Sequence, residues 1–141
     1  MARPPLADGS FAAETVADVG EILPVDISLS ADDRHLYVTG FMTGELKHYD
    51  VSDPHHPKLV ETIALGPQAN MASQSWDGKR LYVTSSLLSK WDKPEQQAWL
   101  RKFTLGPDGK LVEEKAFAVD FTSLGRPHQM NFGSRQLYGA A

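Results

Sequence analysis

The chain has 141 residues, the size of one globular domain. Its formal net charge is −4, from 14 basic and 18 acidic side chains, which argues against nucleic-acid binding because phosphate neutralisation needs surplus Lys and Arg. No apolar run approaches the roughly 18 residues of a membrane span. The first residues lack the apolar core of a signal peptide, and there is no cysteine for a disulfide, a thiolate metal site or a nucleophile. These features predict a soluble, cytoplasmic, globular protein.

A short string recurs along the chain. Residues 36–39 and 81–84 both read Leu-Tyr-Val-Thr, an offset of 45, and each copy follows a polar turn. A weaker copy, Leu137-Tyr138, lies 56 residues after the second. Repeats spaced by about 40 to 50 residues are typical of stacked blades or helical pairs.

The local pattern favours strands. Residues 26–30 alternate polar and apolar side chains with period two, and residues 36–39 are aromatic and β-branched. Turn residues then separate two further short segments, 45–51 and 58–64. Four short antiparallel strands in one repeat predict a β-propeller blade, and the second repeat has the same scheme. Only residues 92–100 have the pattern of a helical turn, which Pro94 limits.

We therefore predict an all-β fold of propeller blades. Residues 1–21 form a lead-in that is flexible or a remnant of a preceding blade, and residues 22–65 form the first blade. Residues 66–124 form the second blade, and residues 125–141 start a third, truncated blade. Because ring closure needs at least about four blades, the chain is either a truncated piece or a subunit that completes its ring by association.

The repeat also predicts a site. The first strand of every propeller blade lines the central channel, so equivalent positions converge on one axis. Aligning the three Leu-Tyr strings, with a one-residue deletion in the third, places Asp26, Met71 and His128 near the start of that strand. An imidazole and a thioether favour copper over calcium or magnesium. The structural alternatives stay open: Asp26 can cap a strand and Met71 can fill the core.

Two longer stretches resemble a known family. Residues 25–37 and 43–54, which include Leu-Ser-Ala-Asp-Asp-Arg and Gly-Glu-Leu-Lys-His-Tyr-Asp-Val-Ser-Asp-Pro, are similar to the blade motif of the selenium-binding protein family, whose members include methanethiol oxidases. The resemblance covers roughly residues 22–132. It implies a partial seven-bladed propeller and copper-dependent oxidation of methanethiol, with O2 and water, to formaldehyde, hydrogen sulfide and hydrogen peroxide.

The resemblance also sets limits. Family members are much longer, and this chain resembles only their C-terminal part. The resemblance implies that His128 is a metal ligand. Selenium binding through cysteine is excluded, because the chain has no cysteine. The chain is then a truncated, inactive portion of an enzyme with a small thiol as substrate. One alternative is a non-catalytic scaffold whose open strand edges pair with another chain or a second copy; a lactonase-like propeller hydrolase is another, suggested by architecture alone.

Overall fold

The computed structural model describes residues 7–10, 13–86, 98–117, 119–121, 123–130 and 132. Over these ranges all the regular secondary structure is β, so the predicted all-β class is confirmed. Nine strands follow in chain order: β1 (Pro24–Leu29), β2 (His35–Gly40), β3 (Glu45–Asp50), β4 (Lys58–Ala64), β5 (Ala69–Gln74), β6 (Arg80–Ser85), β7 (Trp99–Leu105), β8 (Leu111–Glu113) and β9 (Val119–Asp120). Of the predicted helical turn, residues 92–97 lie outside the described ranges, and Trp99 and Leu100 belong to strand β7.

The first sheet has the strand order β1-β2-β3-β4, and every neighbouring pair is antiparallel. A polar turn joins β1 to β2, where the Ser30 hydroxyl donates to the Asp32 carboxylate. Asp33 adopts a left-handed backbone with φ of 58°, which Asp tolerates better than most residues. The sheet is the four-stranded blade that the sequence predicts.

The second sheet repeats this order as β5-β6-β7-β8, and β9 also pairs with β7. Its first turn repeats the serine–aspartate contact, and the hydrogen bond from the Ser75 hydroxyl lowers the pKa of Asp77 to about 2. Strands β8 and β9 pair with opposite ends of β7. Together they form the outermost strand of the blade, interrupted between residues 113 and 119.

The two sheets pack face to face around one hydrophobic core. Both copies of the repeated string contribute to this core. Alternate residues of a strand point to opposite faces, so the two copies contribute different members of the string. Tyr37 of the first sheet and Leu81 and Val83 of the second belong to this core and are at most 1% exposed. The other buried members are Leu46, Leu65, Ala69, Ala72, Phe103 and Leu111.

The opposite face of the first sheet is only partly covered. Val38 and Tyr49 form a second, smaller cluster with Ile22 of the segment that precedes β1. On the same face, Ile27 and Leu29 of β1 are 66% and 50% exposed. This exposed apolar face is a feature of the first sheet alone, since the corresponding face of the second sheet is buried in the core.

Candidate functional site

The inner edge of the two sheets is held together by a threonine hydroxyl. Thr39, at the end of the first repeated string, shares its proton between two backbone carbonyl oxygens. One belongs to Asp26 of its own sheet, at 3.3 Å, and the other to Asn70 of the second sheet. The hydroxyl thereby ties the innermost strands β1 and β5 to each other.

Thr84, at the end of the second string, makes the same pair of contacts. Its hydroxyl lies 3.5 Å from the carbonyl oxygen of Met71 in its own sheet and 2.9 Å from that of His128 in the next segment. The two threonines therefore align Met71 with Asp26, as the sequence comparison does. They align His128 with Asn70, one position earlier in the repeat than the Leu-Tyr strings place it.

Asp26 joins the two sheets directly. Its carboxylate oxygen Oδ2 accepts a hydrogen bond of 2.7 Å from the backbone N–H of Ala72. The register between β5 and β6 shifts between Ala69 and Ala72, and the carboxylate provides a partner for an amide beside that irregularity. Asp26 and Met71 are both half-buried. Their predicted position at a channel stays a prediction.

Asn70 lies fully buried between the inner strands, and the sequence analysis missed it. Its amide nitrogen Nδ2 is 2.7 Å from the Ser86 carbonyl oxygen, 3.1 Å from the His128 carbonyl oxygen and 3.3 Å from the His128 ring nitrogen Nδ1. The other end of the amide, Oδ1, is buried and has no hydrogen-bond partner among the described residues. Ser86 itself has a left-handed backbone with φ of 80°. Asn70 therefore connects a backbone position in the left-handed region, Ser86, to the predicted metal residue His128.

A second polar cluster lies farther out in the first sheet. The ring of His48 is fully buried, with Nε2 2.9 Å from Nδ1 of His35 and Nδ1 3.1 Å from Oε1 of Glu61. The same Glu61 oxygen accepts the backbone N–H of Leu111 in the second sheet, at 2.7 Å. Burial lowers the pKa of His48, and the hydrogen bond to Glu61 only partly opposes that shift. The Glu61 carboxylate thus links the buried His48 ring to the second sheet.

The described residues do not by themselves fit the copper that the family resemblance implies. Among them, no group of three or more His, Cys, Asp or Glu side chains could hold a metal ion. The predicted ligand His128 contributes one imidazole, and its Nδ1 faces the amide group of Asn70. We therefore derive no catalytic step through copper from this geometry.

In the described part of the chain, no helix is long and apolar enough to cross a membrane. The cytoplasmic location stays a prediction.

Comparison with known proteins then decides the family. The family model described as 56kDa selenium binding protein (SBP56) matches residues 8–136. The chain belongs to this family. The predicted resemblance is confirmed.

Relatives in the selenium-binding protein family include enzymes. A methanethiol oxidase of Ruegeria pomeroyi is 47% identical over 141 residues, covering 94% of this chain and 31% of the relative. A methanethiol oxidase of a Hyphomicrobium species is 48% identical over 126 residues, covering 86% of this chain and 28% of the relative. The chain thus spans less than a third of the length of these enzymes.

Solved structures agree on the architecture. A hypothetical selenium-binding protein of Sulfolobus tokodaii superposes with a TM-score of 0.65 at 36% identity, over 71% of this chain and 26% of that one. A periplasmic gluconolactonase of Pseudomonas aeruginosa superposes with a TM-score of 0.51 at 21% identity, over 76% of this chain and 28% of its own. The second likeness shows the fold alone, which is that of propeller blades.

Proposed function

We propose that this chain is the part of a methanethiol oxidase that supplies two neighbouring propeller blades. The observation that carries the proposal is the 47% identity to the Ruegeria pomeroyi enzyme over 94% of this chain. The complete protein then converts methanethiol, O2 and water to formaldehyde, hydrogen sulfide and hydrogen peroxide. In this balance the methyl carbon is oxidised and O2 is reduced to peroxide.

The proposal divides the site between this chain and the rest of a complete ring. His128 is the candidate metal ligand on this chain, and Asp26 and Met71 are the candidate channel residues. Copper is the cofactor of the complete protein, with its other ligands supplied from outside the residues described here. The chain on its own is inactive, because one imidazole does not make a copper site and two blades do not enclose a channel.

A chimera tests this proposal. Residues 8–136 of this chain replace the matching region of the Ruegeria pomeroyi enzyme, so that the remaining blades come from an authentic methanethiol oxidase. We expect the chimera to form hydrogen peroxide and hydrogen sulfide from methanethiol, and the His128→Ala chimera to lose that activity at least tenfold. His56→Ala is the matched control, because His56 lies on an exposed turn. A folded, copper-loaded chimera without turnover, or one that is indifferent to His128→Ala, would contradict the proposal.

A second candidate function is a non-catalytic scaffold that binds another chain. The observation in its favour is the exposed apolar face at Ile27 and Leu29 of β1. Over the described ranges β1 pairs with β2 alone, so no strand covers its other edge, which is a candidate for strand addition. This candidate predicts a defined complex that forms without copper.

A further inference from the structure

The side chain of Asn70 has one possible orientation. Its Nδ2 faces two carbonyl oxygens, those of Ser86 at 2.7 Å and His128 at 3.1 Å, and carbonyl oxygens only accept hydrogen bonds. The reversed amide would set its oxygen against both of these acceptors, at a position that is fully buried. The NH2 group of Asn70 must therefore point at the His128 segment, and within the described part of the chain no partner faces Oδ1.

That orientation decides the tautomer of His128. Ring nitrogen Nδ1 of His128 lies 3.3 Å from the Asn70 NH2 group, which is a donor. The NH2 group has two hydrogens for three acceptor contacts, so one hydrogen is shared between the His128 carbonyl oxygen and Nδ1. A proton on Nδ1 would face this donor group, whereas the Nδ1 lone pair accepts from it. In the neutral ring the proton then belongs on Nε2.

We propose that Asn70 is a positioning residue that sets both the place and the tautomer of His128. It holds the backbone of His128 through the carbonyl oxygen and the ring through Nδ1. His128 consequently presents an Nε2–H donor on its outward side, where it is exposed. In this arrangement the Nε2–H group suits a ligand with an available lone pair, such as a small thiolate.

The arrangement differs at the other exposed histidines of the chain. Nδ1 of His55 lies 3.1 Å from a Glu14 carboxylate oxygen, and Nδ1 of His56 lies 2.9 Å from an Asp53 carboxylate oxygen. A carboxylate oxygen accepts a hydrogen bond from an Nδ1–H group. These two rings therefore favour the Nδ1–H tautomer, the opposite of the one expected for His128. They are internal controls within the same molecule.

Long-range 1H–15N spectra of the 15N-labelled 141-residue chain read the tautomers directly. The sample is held at about pH 8, above the ordinary imidazole pKa of about 6.5. We expect His128 to carry its proton on Nε2, with a clearly smaller Nδ1–H population than His55 and His56. An Nδ1–H population in His128 equal to or above that of those two rings would overturn the proposal.

Two variants separate positioning from a merely structural role. Asn70→Ala removes the donor that faces the ring, and we expect the Nδ1–H population of His128 to rise at least twofold. Thr84→Val removes the other side-chain bond to the His128 carbonyl and leaves Asn70 in place, so the tautomer should not change. An unchanged His128 spectrum in folded Asn70→Ala would overturn the proposal; if that variant does not fold, the comparison within the wild-type chain decides.

The importance of the tautomer for catalysis rests on the proposed oxidase function, but the measurement does not. An inactive chimera with the expected His128 tautomer would refute the oxidase proposal and leave this inference standing. An active chimera with the His128 proton on Nδ1 would refute this inference and leave the oxidase proposal standing.

Discussion

At the scale of single residues, Asp26 shows how a charged side chain substitutes for a strand partner. Its carboxylate accepts the Ala72 N–H at 2.7 Å, beside the point where β5 leaves its register with β6. A buried N–H without an acceptor destabilises the folded state, because it loses its hydrogen bond to water and forms no other. The bond therefore stabilises the contact between the two sheets, whatever else Asp26 does at a channel.

Asp26→Ala should lower the free energy of unfolding by about 1.5–3 kcal/mol, the usual range for a hydrogen bond to a charged group. Asp26→Asn keeps an oxygen at the same place and should cost less. Urea denaturation measures both. Asp33→Asn is the matched control, since it removes the same charge from an exposed turn without a change in left-handed tendency. Equal losses for Asp26→Ala and Asp33→Asn would show that the inter-sheet bond contributes nothing.

The residues of the inner edge differ in how far the sequence predicts them. Asp26 and Met71 follow from the 45-residue offset between the two strings, and the threonine contacts align the same pair. Asn70 carries no comparable signal, because its role depends on a histidine 58 residues away and on an amide orientation set by two carbonyl groups. Only the folded contacts reveal it.

At the scale of elements, His48 links β3 to its neighbours through side chains rather than through the backbone. His35 of β2, Glu61 of β4 and the Leu111 amide of β8 all meet in this chain of contacts. Tyr37 packs against the His48 ring at 5.0 Å between centroids, and burial raises the pKa of this phenol to about 12. The cluster therefore favours an uncharged His48.

This cluster predicts that mild acid destabilises the fold through the buried imidazole of His48. Burial holds the folded-state pKa of His48 below the ordinary 6.5, so the unfolded chain binds the proton first as the pH falls. The contribution is complete above about pH 6.5 and is lost below it, by up to about 1.4 kcal/mol per pH unit. The neighbouring Asp32 and Asp50 have pKa values below 3.8 and act only in stronger acid.

Urea denaturation at several pH values between about 7.5 and 5 measures this slope, which spans the ordinary imidazole pKa of about 6.5. His48→Gln should unfold more easily at the upper end and show a shallower slope below pH 6.5. His56→Gln is the control, because it removes an imidazole whose side chain is 79% exposed. The same slope in His48→Gln and in the wild type would rule out this buried imidazole as the cause.

The elements themselves were largely predictable, and the exceptions have physical reasons. Period-two alternation and the repeated string indicate β1, β2 and β6, since these patterns depend on local chain geometry. The split of the outer strand into β8 and β9 has no local signal, because it depends on how two segments pair with opposite ends of β7. The alternation in β1 predicts buried Ile27 and Leu29, yet both are exposed. A sequence pattern indicates which face is apolar, but not whether anything covers it.

At the scale of the whole molecule, the two sheets differ in how they are covered. Ala72 occupies in β5 the position that Ile27 occupies in β1, 45 residues earlier, and it is only 7% exposed because the first sheet covers it. Ile27 is 66% exposed. By comparison with Ala72, we expect another sheet of the same kind to suit this face.

The exposed face predicts concentration-dependent association of the chain. Charged residues in an apolar contact oppose association, so the double variant Ile27→Lys, Leu29→Lys should lower the weight-average mass in solution. Light scattering on a sizing column measures it. Val112→Lys is the control, since Val112 is 55% exposed but lies on β8 at the outer edge. A double variant that associates like the wild type would exclude this face as the contact.

The threonine contacts have a consequence for the ancestry of such folds. The Thr39 hydroxyl donates to the Asn70 carbonyl oxygen, and the Thr84 hydroxyl donates to that of His128. Each sheet therefore supplies the donor that binds the next segment of the chain. A tandem gene duplication of one unit would bring this donor with it, and the new copy would find an acceptor in whichever backbone follows. Rings of different size can then arise by copying with this one contact already in place.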